Sequence, residues 1–79
     1  MRHSRFSGEE IAKRGKEIYE RDLRAKVETE TNIGKMAIID VETGDYEIDQ
    51  LGIGASQSLY AKHPDAALYG VCIGYNVAA

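Results

Sequence analysis

The stretch Gly34 to Asp49, GKMAIIDVETGDYEID, constrains this chain more than any other, because it spells a β-hairpin whose turn is set by local chemistry. An apolar run (Met36, Ala37, Ile38, Ile39, with Val41 beyond Asp40) enters a Glu42-Thr43-Gly44-Asp45 turn. Gly44 can take the positive φ that a type I turn with a glycine bulge requires, and Tyr46 to Asp49 return as the second strand. The first strand is apolar on both faces, with Met36 and Ile38 on one and Ala37, Ile39 and Val41 on the other. That is the pattern of a central strand covered twice, whereas Glu47 and Asp49 mark the second strand as an edge.

A long helix precedes the hairpin. Ser7 is its N-cap, Glu10 completes a capping box, and Phe6 is placed to staple against Ile11. Acidic-before-basic pairs at i,i+4 follow (Glu9/Lys13, Glu10/Arg14, Glu17/Arg21, Glu20/Arg24, Asp22/Lys26) and support helix through about residue 28. Ile11, Gly15, Ile18 and Ala25, widened by Ala12, Tyr19 and Leu23, form its expected buried stripe, interrupted by Asp22. Thr29 to Gly34 read as a connection. After Asp49 the chain turns through Gly52-Ile53-Gly54 into a short helix from about Ala55 to Lys62, stopped by His63-Pro64. Ala67 to Val77 reads as a third strand, with Tyr69, Val71, Ile73, Tyr75 and Val77 on one face and Leu68, Gly70, Cys72 and Gly74 on the other.

The expected fold is therefore α+β, in the order α-β-β-α-β: a three-stranded sheet with a long N-terminal helix and a short crossover helix, in one domain over residues 1–79. Strand one is expected in the middle, with strand three antiparallel to it.

GKMAIIDVETGDYEID, together with the later KHPDAALYG and IGYNVA, resembles a family of small bacterial proteins common in cyanobacteria, in which a capped, charged helix precedes an ETGDYEID hairpin. The resemblance covers nearly the whole chain. No activity is assigned to that family, and its size and genomic style are similar to those of antitoxins or small accessory subunits. Its members are expected to carry Arg at the position of Cys72 and a longer, more aromatic tail after Val77. The departure at Cys72 argues against an anionic-ligand role for strand three.

Seventy-nine residues bury only about 60 % of the surface their unfolded chain exposes. With a single cysteine, no intramolecular disulfide supports the core, and neither CxxC nor a Cys/His cluster suggests zinc. Apolar stretches fall far below the about 20 residues of a membrane span, and residues 1–15 hold no apolar signal-peptide core. A soluble cytoplasmic protein is the expectation.

Charge is unevenly spread. Residues 1–26 carry eight Lys/Arg against five Asp/Glu, whereas residues 27–79 carry two against eight. A basic helix lying on an acidic sheet, in its own subunit or a neighbour's, is one consequence; nucleic acid as partner is the other. Arg2, His3, Arg5, Arg14, Arg21 and Arg24 would carry the second, yet Glu10, Glu17, Glu20 and Glu28 lie among them and repel phosphate. Asp40, Glu42, Asp45, Glu47 and Asp49 invite a metal or acid/base role, but they lack EF-hand spacing and read as a solvated rim. Asp40, inside an apolar run, is the exception, with Lys35 or a helix arginine as its expected partner. Apart from Ser4 beside His3, no Ser or Cys stands next to either imidazole, His3 or His63, although tertiary proximity could join His63 to Asp65 or Cys72. Gly52-x-Gly54 and Gly70-x-x-x-Gly74 match no phosphate loop.

The function expected on these grounds is a non-catalytic interaction module without cofactor, self-associating as a homodimer or larger assembly and engaging a partner protein. Its interface residues would be Met36, Ile38, Tyr69, Val71, Ile73 and Tyr75, the apolar sheet surface that two helices must cover. A nucleic-acid-binding regulator and a small metal or hydrolytic protein are the alternatives.

Overall fold

The computed structural model describes residues 6–75. Helix α1 (Gly8–Ile18) starts at Ser7, whose Oγ accepts the Glu10 N–H at 3.2 Å while Glu10 Oε1 accepts the Ser7 N–H at 2.8 Å. Both halves of the capping box are formed, so two of the orphan donors of the first turn are satisfied. Phe6 carries the Arg14 guanidinium over its ring at 4.3 Å.

The helix does not stop at Ile18. It widens into a π-helical turn (Tyr19–Leu23) and closes as α2 (Arg24–Val27). The buried residues of this rod are Gly15, Tyr19, Leu23 and Val27, spaced by four. In a regular α-helix each step of four overshoots one turn by about 40°, so Val27 would swing off the face that Gly15 shares with the sheet. The wider π turn, closed by the Arg24 N–H donating to the Tyr19 carbonyl, absorbs that overshoot. Ala25, assigned to the stripe by a 3.6 period, is consequently exposed, and Val27, omitted from it, is only 2 % exposed.

Strands β1 (Met36–Asp40), β2 (Tyr46–Asp49) and β3 (Leu68–Cys72) form one sheet in the order β2-β1-β3, with both outer strands antiparallel to β1. The expected central strand is the central strand. Gly44 adopts φ 83° and its N–H reaches the Asp40 carbonyl at 2.8 Å, closing the hairpin. Strand β3 is shorter than its alternating pattern suggests: Gly74 turns at φ 83°, the Tyr75 N–H bonds back to the Cys72 carbonyl at 3.2 Å, and pairing ends. Val77 lies outside the described residues.

Helix α3 (Ile53–Lys62) begins two residues earlier than the sequence suggests, behind Gly52 at φ 85°. Asp49, the last residue of β2, holds its start by accepting the Gly54 N–H at 2.9 Å. His63 leaves helical geometry ahead of Pro64, as expected. Two core layers result. Tyr19, Leu23 and Val27 pack on Ala37, Ile39 and Ile73 on one face of the sheet, and Ala55 and Leu59 pack on Ile38 on the other, flanked by Met36 and Leu68.

Candidate interaction surface

The two helical layers are unequal. The long helix covers its face so fully that Ala37, Ile39 and Ile73 have no measurable exposure. Gly15 permits this, because a Cβ there would lie 2.7 Å from the Tyr69 Cβ. Of the residues expected to form an interface, Tyr69, Val71 and Ile73 thus face the chain's own helix, Val71 and Ile73 as part of that core layer, and Tyr75 is exposed beyond the strand. Met36 and Ile38 belong to the other layer.

There, α3 lies mainly over β2 and less over β1; on β3, Leu68 packs against its cluster while Gly70 stays exposed. A shallow depression of about 420 Å³ lies along the helix, floored by Ile38 and walled by Leu51, Gly52, Ile53, Ser56, Gln57 and Tyr60. Ile38 Cδ1 sits between the two helix-side glycine positions, since a Cβ on Gly52 or on Gly70 would each meet it at 3.3 Å. Leu51 is 78 % exposed, Ile53 63 % and Tyr60 43 %. Large apolar side chains standing out side by side along one groove differ from the scattered apolar atoms of any protein surface. Leu51 and Ile53 escaped the sequence reading, although two large aliphatics flanking a turn glycine were a visible anomaly.

Several polar groups serve the fold. Asp40 is 1 % exposed, and its partner is neither Lys35 nor an arginine: Oδ1 accepts the Glu42 N–H and Oδ2 the Thr43 hydroxyl, both at 3.0 Å. An Asx turn inside the hairpin loop therefore explains the acid in the apolar run. Asp45 Oδ1 accepts the Tyr46 N–H at 2.9 Å, and Asp45 Oδ2 lies 3.3 Å from His63 Nε2, so His63 meets the hairpin, a partner not among those expected for it. Lys62 bonds Glu47 at 2.9 Å and stands 3.9 Å from Asp45, and both carboxylates hold the Lys62 ammonium above its ordinary pKa. The rim is in part an ion-pair clasp between β2 and the end of α3. Among the described residues, no group of three His, Cys, Asp or Glu is gathered for a metal ion. The N-terminus of α3, the one place where the Gly52-x-Gly54 glycines meet a helix start, already holds the Asp49 carboxylate.

The arginines are similarly engaged. Arg14 stacks on Phe6, Arg21 pairs with Asp22 at 3.2 Å, and Arg24 bridges Glu20 at 2.7 Å and Glu28 at 3.3 Å. Arg2 and Arg5 lie outside the described residues. Glu28 also accepts the Tyr19 hydroxyl at 2.7 Å, and burial, reinforced by that carboxylate, pushes the Tyr19 phenol up to about 12. Cys72 is half-buried, its Sγ 3.9 Å from the Gly34 carbonyl. No described helix is long and apolar enough to cross a membrane. Comparison with family models, with curated proteins and with solved structures finds no match to this chain.

Proposed function

We propose that the protein is a non-catalytic interaction module that self-associates through the open side of its α3 layer and presents the resulting assembly to a partner protein. One observation carries the reading: Leu51, Ile53 and Tyr60 stand exposed beside Ile38 along a single apolar groove, on a chain whose other sheet face is sealed by its own helix. An apolar surface of this kind on a small chain is stabilised by closure against another, and a two-fold pair is the commonest closure. The carboxylates, imidazole and guanidinium groups described above are engaged in caps, turns, hydrogen bonds, ion pairs and a ring contact, which favours interaction over chemistry as the task of the fold.

Light scattering coupled to size exclusion tests the proposal. Micromolar protein should elute with at least twice the 8.7 kDa chain mass. Ile53→Glu should give a folded monomer, because residue 53 is mostly exposed within the chain and its charge is buried only in the assembly. A wild-type monomer at all concentrations would overturn the proposal.

A further inference from the structure

We infer that the outer edge of β3 is the two-fold seam of the dimer, joining two copies into one six-stranded sheet in the order β2-β1-β3-β3′-β1′-β2′. The inference rests on the self-association proposed above and names the surface that performs it.

The two edges of the sheet are built differently. On β2, Asp45 caps the outward Tyr46 N–H, and Glu47 and Asp49 are drawn to Lys62 and Gly54. Charges and a bulge-forming turn are what natural sheets use to discourage further pairing. Strand β3, Leu-Tyr-Gly-Val-Cys, carries no charge, no proline and an exposed glycine at its centre.

Backbone direction adds a register. The Ala67 carbonyl accepts the Val41 N–H and the Ile73 N–H reaches the Lys35 carbonyl, so odd-numbered residues of this segment point at β1. By alternation, Leu68, Gly70 and Cys72 aim their N–H and C=O groups outward. Three outward residues centred on Gly70 are self-complementary: an antiparallel two-fold copy sets Gly70 opposite the partner's Gly70 and Leu68 opposite the partner's Cys72, every pair in hydrogen-bonded phase. The Cys72 carbonyl, which already accepts the Tyr75 N–H, keeps a second lone pair for this. No like charges meet anywhere along the strand.

The open groove supplies the second observation. Pairing across β3 places both α3 helices on the same face of the joined sheet, with the uncovered strip over β3 and β3′ between them. Ile53 and Tyr60 of each copy then stand on the two sides of that strip, above Ile38, with the seam's Gly70 beside Ile38 Cδ1. An uncharged edge and an apolar wall, on different elements, are thereby brought to the same two-fold axis.

Thiol cross-linking reads the register. In the proposed seam the two native Cys72 residues are offset by four positions, roughly 13 Å along the strand, too far for a disulfide. Leu68→Cys puts a thiol directly opposite the partner's Cys72, with Cα atoms about 5.5 Å apart, within bonding range. Under mild oxidation L68C should run mostly as a covalent dimer, with mass spectrometry mapping the bridge to positions 68 and 72, while wild type stays largely unlinked. Because Leu68 contributes to the core, Gly70→Cys combined with Cys72→Ser provides an independent variant at an exposed position, linking 70 to 70. If both variants are dimeric by light scattering yet cross-link no faster than wild type, the seam is wrong and self-association stands. A monomeric wild type removes both.

Discussion

Replacing Gly15 with alanine should destabilise the protein, although the same change in an isolated helix would stabilise it. Alanine exceeds glycine in helix propensity by about 1 kcal/mol. In this fold the new methyl would lie 2.7 Å from the Tyr69 Cβ and would overlap the ring carbons. Rotating the ring away does not help, because the Tyr69 Cβ is fixed to the strand; helix and sheet must part by about 1 Å to restore ordinary carbon contact. Overpacking of this kind costs about 1 to 3 kcal/mol, and a clash against a backbone-rooted atom belongs at the upper end. The net loss is therefore about 2 kcal/mol, out of a total stability of about 4 to 12 kcal/mol for a chain of this length. Thermal unfolding followed by circular dichroism should show G15A melting about 8 to 16 °C below wild type. Gly8→Ala, where nothing lies within 4 Å of the added carbon, should stay within about 0.5 kcal/mol of wild type. A G15A protein as stable as wild type, or more stable, would refute the close approach of α1 to β3 on which the sealed face depends.

Other consequences concern single groups. Asp40→Ala removes both side-chain acceptors that Asp40 gives the hairpin turn and strands the Glu42 N–H, so urea unfolding should record a loss of about 2 to 4 kcal/mol with an unchanged m-value; a loss below about 1 kcal/mol would mean the turn does not need its Asx cap. Tyr19 should ionise near pH 12 in an absorbance titration. Its folded pKa lies above the unfolded value of about 10, so its contribution is present below pH 10 and lost as pH rises from about 10 to 12, and Tyr19→Phe should abolish that part of the alkaline instability. Duplex DNA should bind no more tightly than the non-specific range of about 10⁻⁴ to 10⁻⁶ M at physiological salt, because the described helix arginines are paired with carboxylates or stacked on Phe6; sub-micromolar, sequence-selective binding in a gel shift would contradict this.

What could be read along the chain was whatever is decided by neighbours in sequence. Ser7 and Glu10 cap each other, Gly44 needs only its own turn, and the doubly apolar Met36–Ile39 run placed β1 at the centre. What escaped was decided across the fold. The π turn arises because Gly15, Tyr19, Leu23 and Val27 must meet one sheet face, a demand invisible to a 3.6 period. Asp40 is the exception, a local Asx turn where Lys35 or an arginine was expected, whereas His63 found Asp45 eighteen residues away. The assignment of Tyr69, Val71 and Ile73 to the long helix, and the exposure of Leu51 and Ile53, follow from which face and which strands each helix covers. Alternation distinguishes the two faces of a strand but not which face has a helix of its own to cover it.

Amide hydrogen exchange on the wild-type protein, resolved by residue, tests the account most directly because the two sheet edges control for each other. Gly70 and Ile48 both direct their N–H groups away from β1, one from each edge. If β3 is the seam, the Gly70 and Leu68 amides exchange slowly at concentrations where the dimer forms and lose protection on dilution, while the Ile48 amide exchanges fast throughout. Fast exchange at Gly70 in a protein that light scattering shows to be dimeric, or protection at Ile48 instead, would contradict it.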